Sequence, residues 1–206
     1  MSNRGLLTVI SGFSGCGKGT VVGKMVDSYD YSLSISATTR KPRSGDIDGV
    51  HYFFITKEEF EDRIANNGFL EWAEYVGNYY GTPKDYVDRM LSEGKNVILE
   101  IEMQGGLKVK EQCPDAVLIF MVPPSADELK NRLVNRGTED ADTISRRLKR
   151  ASEEIDYIDS YDYIVVNEDV GKCAGDIHQI ICNEHKKVVN NKEVINKIKQ
   201  DFKNIK

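Results

Sequence analysis

The sequence predicts an α/β protein: a parallel sheet flanked by helices, interrupted by a small mixed α/β insertion and carrying a helical lid. Three observations predict it. Fully apolar runs rich in Val, Ile and Leu alternate with helical patterns along much of the chain, as in parallel sheets buried on both faces. The first apolar run ends in a glycine-rich loop that opens a helix, Gly12-Phe13-Ser14-Gly15-Cys16-Gly17-Lys18-Gly19-Thr20. That order, strand then glycine loop then helix, is the context of a phosphate-binding P-loop, so the sheet is expected to be of the P-loop NTPase type. Between residues 34 and 90 the rhythm breaks, and the strand-like segments there are too polar for a buried parallel sheet.

The elements follow in order. Residues 6–11 (LLTVIS) form the first buried strand, and Val21, Val22, Met25 and Val26 recur at helical spacing after the loop. Residues 31–40, 51–56 and 69–80 read as three further strands. Thr56-Lys57-Glu58-Glu59 has the form of a capping box opening a short helix to Ala65. Thr82 followed by Pro83 looks like an N-cap with proline at the first helical position, starting a helix to about Glu93. Two apolar strands come next, residues 96–101 (NVILEI) and 116–122 (AVLIFMV). Ser125 and Glu128 form a second capping box, with Leu129 and Leu133 on the buried face of its helix. A polar stretch over residues 136–142 leads to an arginine-bearing helix over 143–158. Residues 163–167 (YIVVN) are the last strand, and 175–206 are helical. The expected division is a core of residues 1–33, 91–123 and 155–206, an insertion of 34–90 and a lid of 124–154.

The chain of 206 residues is long enough to bury a sizeable core. No apolar run approaches the roughly 20 residues of a membrane span, and Gly12 arrives too early to leave room for a signal peptide. A cytoplasmic protein without a membrane partner is expected, and the oligomeric state expected is monomer or weak homo-oligomer. The cysteines (Cys16, Cys113, Cys173 and Cys182) are scattered, with no C-x-x-C pair, which argues against a disulfide framework and a zinc site. A net charge of −5 argues against a nucleic-acid partner. Seven of the ten arginines nevertheless cluster, at Arg40/Arg43, Arg132/Arg136 and Arg146/Arg147/Arg150. Local arginine groups on an acidic protein suit small phosphorylated ligands.

In the loop, Gly12, Ser14, Gly15, Cys16, Gly17, Lys18, Gly19 and Thr20 are the expected ATP-binding residues. The glycines let N–H groups converge on phosphate, and Lys18 brings a positive charge to the β- and γ-phosphates. Gly19 stands where P-loops usually carry a Ser or Thr hydroxyl on Mg²⁺, so no side chain is expected to ligate the metal directly. Phosphate oxygens, water and Thr20 would hold it instead. This G-K-G-T form is more like nucleoside monophosphate kinases than GTPases. Cys16 is read as a small space-filling residue in the loop.

Four further motifs carry a close resemblance. They are Ser36-Ala37-Thr38-Thr39-Arg40-Lys41-Pro42-Arg43 with Gly49-Val50-His51-Tyr52, then Phe69-Leu70-Glu71-Trp72, Gly77-Asn78-Tyr79-Tyr80-Gly81-Thr82 and Met103-Gln104-Gly105-Gly106. In order and spacing the chain resembles the guanylate kinase family over about four-fifths of its length. The resemblance implies transfer of a phosphoryl group from ATP to GMP or dGMP with Mg²⁺, a five-stranded parallel core sheet, and closure of both appended parts. It also implies GMP contacts at Ser36, Arg40, Arg43, Tyr52, Glu71, Tyr80, Thr82 and Glu102. The chemistry is consistent: Arg40 and Arg43 are planar donors suited to a monophosphate. A carboxylate at Glu71 accepts the adjacent N1–H and N2–H donors of guanine and would be left unpaired by adenine. The Thr82 hydroxyl serves either near guanine O6 or as the cap of the next helix. Trp72 is read as packing.

Glu100 and Glu102 close an apolar strand, where the carboxyl end of a sheet faces a nucleotide crevice. Glu100 is expected to reach Mg²⁺ only through water, and Glu102 stands where the family commonly has the shorter Asp. Arg132 and Arg136, four apart on one helical face, match the family's lid motif, and Arg147 matches the arginine on its second helix. With Lys18 these are the expected catalytic charges, whereas Arg146 and Arg150 have weaker claims. Asn167 matches the position near the adenine of ATP. Two alternatives remain at this stage: a kinase with another acceptor, and a non-catalytic guanylate-kinase-like module that binds proteins.

Overall fold

The computed structural model describes residues 4–135 and 140–205. Five strands form the main sheet: β1 (Leu7–Gly12), β2 (Tyr31–Leu33), β7 (Asn96–Glu100), β8 (Val117–Val122) and β9 (Tyr163–Val166). Their order is β2-β7-β1-β8-β9, and every pairing is parallel. In β1, β7 and β8 the side chains alternate between the two faces. Ile10, Ile98, Ile119 and Met121 join one buried cluster with helices α1 (Lys18–Ser28) and α7 (Val170–Glu184). Leu7, Val9, Val97, Leu99 and Leu118 join the other with α3 (Lys84–Ser92) and α4 (Met103–Gln112). Both faces being covered explains why these strands read as unbroken apolar runs. The parallel register leaves the ends of β1, β7 and β8 (Gly12, Glu100, Val122) along one edge of the sheet.

The segment over residues 34–90 builds a separate mixed sheet from β3 (Ala37–Thr38), β4 (Phe53–Phe54), β5 (Phe69–Tyr75) and β6 (Asn78–Pro83), in the order β4-β3-β6-β5. Its own small core is Ala37, Phe60 and Phe69, with the Phe60 and Phe69 rings stacked at 4.3 Å between centroids. Phe60 comes from α2 (Lys57–Ala65), whose start is the capping box expected at Thr56. The Thr56 hydroxyl accepts from Glu59 N–H at 3.1 Å, and Glu59 accepts from Thr56 N–H at 2.8 Å. After β8 come α5 (Ala126–Asn135) and α6 (Ala141–Glu154), followed by a 3₁₀ turn over Ile155–Ser160. A second 3₁₀ turn over Val188–Asn191 precedes α8 (Lys192–Asn204). Among the described residues no helix is long and apolar enough to cross a membrane.

Several expectations are corrected. Residues 31–40 are two strands in different sheets; β2 is polar because it is an edge strand, with Tyr31 buried and Leu33 exposed. Residues 69–80 are a hairpin, turning at Val76 and Gly77 with φ of 49° and 71°. Two successive positive φ values match the twist of a two-residue hairpin, but a valine there gives no turn signal in the sequence. Thr82 does not cap α3, because Pro83 occupies the N-cap position and the Thr82 hydroxyl points across the hairpin. The second capping box is half made: Ser125 Oγ accepts from Glu128 N–H at 3.1 Å, while the Glu128 carboxylate turns to Arg132. The arginine-bearing helix starts earlier, capped by Asp140, and ends at Glu154. The helical tail starts earlier than residue 175, at Val170 with Asp169 as cap, and is broken into α7 and α8 by the second 3₁₀ turn.

Candidate active site

The loop from Gly12 to Gly17 connects the end of β1 to α1 at the shared edge of the sheet. Gly15 and Gly17 both have φ of 93°, a conformation costly for any residue with a Cβ. Gly17 is the N-cap of α1, and the first turn of that helix has N–H groups without intrahelical acceptors. Lys18 folds back along the loop, its Nζ donating to Gly12 O at 2.6 Å and Phe13 O at 3.3 Å. Cys16 is fully buried under the loop, and desolvation pushes its thiol pKa up, so it packs as a neutral thiol.

Two arginines, from α5 and α6, meet this loop. Arg147 of α6 donates to Ser14 Oγ at 2.8 Å. Arg132 of α5 is held by Glu128 Oε1 at 2.8 Å and donates to Asn167 O at 2.9 Å and Cys16 O at 3.4 Å. Arg136 lies outside the described residues. Of the arginines with weaker sequence claims, Arg150 bridges Glu102 Oε2 at 3.1 Å and Glu154 Oε1 at 2.8 Å, tying α6 to the N-cap of α4. Arg146 donates to Thr143 on its own helix.

Glu100, at the end of β7, faces the first turn of α1. A side chain on Gly19 would begin 3.6 and 3.7 Å from its two carboxylate oxygens. Partial desolvation in the crevice raises its carboxyl pKa, and the Lys18 ammonium pulls the other way. A carboxylate over a side-chain-free helix start fits a Mg²⁺ ion held through water, with Gly19 contributing space instead of a ligand.

In the small sheet, Thr82 Oγ1 donates to Glu71 Oε1 at 2.7 Å across the β5–β6 hairpin. Thr82 is fully buried, so it stands behind Glu71. Burial raises the Glu71 carboxyl pKa, and the Thr82 hydrogen bond and the Lys108 charge offset part of that rise. The first turn of α4 closes against the same carboxylate: a Cβ on Gly105 would lie 3.2 Å from Glu71 Oε2. Tyr80 of β6 packs edge-on to Tyr52, with 6.0 Å between centroids. The Arg40 guanidinium lies 5.4 Å from the Tyr52 ring centroid and pairs with Asp46 Oδ2 at 2.9 Å. Arg43 is exposed, its backbone N–H on Asp46. Ser36 is half-buried at the start of β3, with its C=O accepting from Phe53 N–H. Trp72 packs edge-on against Tyr79.

The structure therefore gathers Lys18, Arg132 and Arg147 on the loop, and Arg40, Tyr52 and Tyr80 beside one another on the small sheet. Asn167 comes from just past the end of β9. It is buried, and its amide donates to Cys16 O at 2.8 Å, a contact across the fold with no local sequence signal. A cavity of about 760 Å³ lies at the opposite end of the sheet between Leu91, Ala116, His185 and Val194. Charges of both signs line it, and none of the expected site residues does.

A glycine loop with its lysine and helix start, met by arginines from α5 and α6, defines a P-loop nucleotide-binding phosphotransferase. The sequence profile of the family described as "Guanylate kinase" matches residues 4–184. A guanylate kinase of Bacillus cereus is 56% identical over 186 residues, covering 89% of this chain and 91% of that protein. One of Bacillus subtilis is 53% identical over 189 residues, 91% of this chain and 93% of that protein. The crystal structure of guanylate kinase from Anaplasma phagocytophilum superimposes with a TM-score of 0.69 at 34% identity, covering 90% of this chain and 88% of that one. The chain belongs to the guanylate kinase family, and it is a nucleoside monophosphate kinase.

Proposed function

We propose that the chain transfers the γ-phosphoryl group of ATP to GMP or dGMP, yielding ADP and GDP or dGDP. The observation that carries the choice of acceptor is the part-buried pair Glu71–Thr82 at 2.7 Å. The Thr82 hydroxyl is committed to Oε1, which orients the carboxylate and favours its charged, accepting form. Guanine presents two adjacent donors to such a group. Adenine presents an acceptor at N1 and would leave a desolvated carboxylate unpaired, at a cost of several kcal/mol. Thr82 thus contributes to GMP recognition through Glu71.

Arg40, Arg43 and the Tyr52 and Tyr80 hydroxyls hold the phosphate of GMP, and Ser36 and Glu102 border the nucleoside. Gly12, Ser14, Gly15, Cys16, Gly17, Lys18, Gly19 and Thr20 line the phosphates of ATP. Lys18 leaves its loop carbonyls for the β- and γ-oxygens. Arg132, Arg136 and Arg147 bring positive charge over the transferring group, where preorganised charge lowers the barrier most. No general base is required, because the GMP phosphate oxygen is already a nucleophile. Thr20, and Glu100 through water, would hold the Mg²⁺ that accompanies ATP, which would supply further neutralisation of the developing charge. The division of labour follows the segments: a core of residues 1–33, 91–123 and 155–206, a GMP-binding part of 34–90 and a lid of 124–154, both appended parts closing to exclude water. We assign the enzyme to the cytoplasm, as a monomer or weak homo-oligomer.

A coupled ADP-release assay with ATP, Mg²⁺ and GMP, dGMP, AMP, CMP or UMP tests this. Turnover confined to GMP and dGMP is expected. Equal turnover of AMP would overturn the guanine reading. GMP binding without turnover of any acceptor would leave a binding module and end the catalytic claim.

A further inference from the structure

The backbone carbonyl of Cys16, in the middle of the phosphate loop, receives two donors from outside the loop. Asn167 Nδ2 lies at 2.8 Å and Arg132 Nη1 at 3.4 Å. Asn167 is 3% exposed and comes from just past the end of β9, 151 residues away in sequence. Its backbone is pinned on both sides: its N–H donates to Val122 O at 2.8 Å, and its C=O accepts from Arg132 Nη2 at 2.9 Å. The side chain therefore projects from a fixed base into the loop.

We propose that Asn167 is a positioning residue for the phosphate loop: its amide fixes the Cys16–Gly17 peptide and so aims the Gly17 N–H, whatever base the donor nucleotide carries. In a trans peptide the N–H points opposite to the C=O, and no described peptide is cis. Holding the Cys16 carbonyl toward Asn167 thus sets the direction of the first N–H in the run that opens α1. Gly17 and Asn167 are matched in space as well. Gly17 sits at φ 93°, and a Cβ there would meet Asn167 Nδ2 at 2.7 Å, so the amide occupies the volume a side chain would need. Asparagine suits the task because an NH₂ group donates to a carbonyl, whereas a carboxylate of the same shape would set oxygen against oxygen. Arg132 reaches the same carbonyl and the Asn167 carbonyl, so the lid helix α5 rests on the same contact.

This inference rests on the loop binding the phosphates of ATP. Calorimetry with ATP and with inorganic tripolyphosphate, which has no base, separates it from an adenine contact and needs no turnover. Asn167→Asp is expected to weaken both ligands by the same factor, about tenfold, which corresponds to about 1.4 kcal/mol. GMP affinity should stay within about twofold of the parent, and Asn167→Ser, with a shorter donor, should fall between. Weakened ATP binding with unchanged tripolyphosphate binding would overturn the proposal in favour of a contact to the base. Unchanged binding of both would show the hydrogen bond to be idle. Equal loss of GMP binding would show general damage to the fold; the milder Asn167→Ser variant guards against misfolding of the aspartate. A parent protein that binds tripolyphosphate yet turns over no acceptor would defeat the kinase reading while leaving this one standing.

Discussion

Replacing Glu71 with Gln should change catalysis and stability in opposite directions. Glu71 carries a carboxylate whose pKa is raised by burial, with Thr82 Oγ1 at 2.7 Å as its donor. Gln keeps one acceptor but places an NH₂ where guanine presents a second donor. Losing one charge-assisted hydrogen bond, weakening the other and adding a donor–donor contact costs about 3 kcal/mol. That is roughly two orders of magnitude in kcat/KM for GMP. Folding responds the other way. A folded-state pKa above the unfolded value means that the charged carboxylate disfavours the fold. The penalty is absent below the unfolded pKa, grows as pH rises toward the folded one, and is complete above it. Glu71→Gln should therefore melt above the parent at about pH 8, with the gap closing toward about pH 4. Steady-state kinetics with GMP and melting curves across that range check both halves. A variant within about threefold of the parent in kcat/KM, or one whose melting advantage appears only in acid, would refute the reasoning.

Thr82→Val, of the same shape, removes the hydroxyl that lowers the Glu71 pKa; we expect about a fivefold loss for GMP and an acid limb of GMP binding displaced to higher pH. Arg147→Met should lower kcat by about two to three orders of magnitude with little change in the KM for GMP, whereas Ser14→Ala, which removes only its partner on the loop, should stay within about fivefold. Equal losses would reduce Arg147 to a loop brace. The Arg150–Glu102 pair is half exposed on both sides and worth at most about 1 kcal/mol, so Arg150→Met should cost no more than about fivefold for GMP, a difference that 0.5 M-scale salt erases. Gly106→Ala would place a Cβ 2.6 Å from Tyr161 Oη and 3.2 Å from Ser11 Oγ. The overpacking should cost about 1–3 kcal/mol, visible as a lower Tm that Tyr161→Phe partly restores.

The parts of the molecule legible in the sequence are those specified locally or by a buried face. β1, β7 and β8 were readable because both faces of each are covered, and α2 because Thr56 and Glu59 complete their box three residues apart. β2 misled because an edge strand has no need of apolar residues throughout. The hairpin turn at Val76 was hidden because a β-branched residue at positive φ is held there by the strands it joins. At the site, Lys18 and the glycines declare themselves by spacing. Thr82 could not, since whether its hydroxyl caps a helix or meets Glu71 depends on the register of β5 against β6. The Asn167–Cys16 contact joins residues from opposite ends of the chain, and only the finished sheet brings them together.

The resting place of Lys18 has a consequence for selectivity. Its ammonium already sits on two backbone oxygens, Gly12 O at 2.6 Å and Phe13 O at 3.3 Å, so an anion binding there displaces two neutral carbonyl dipoles. An incoming anion gains only the difference between its own oxygens and those carbonyls. A weakly basic, singly charged ion such as chloride has little to offer in that trade, while a chelating polyphosphate supplies several charged oxygens at once. If the loop binds ATP as proposed, this exchange would favour linked phosphates over simple anions.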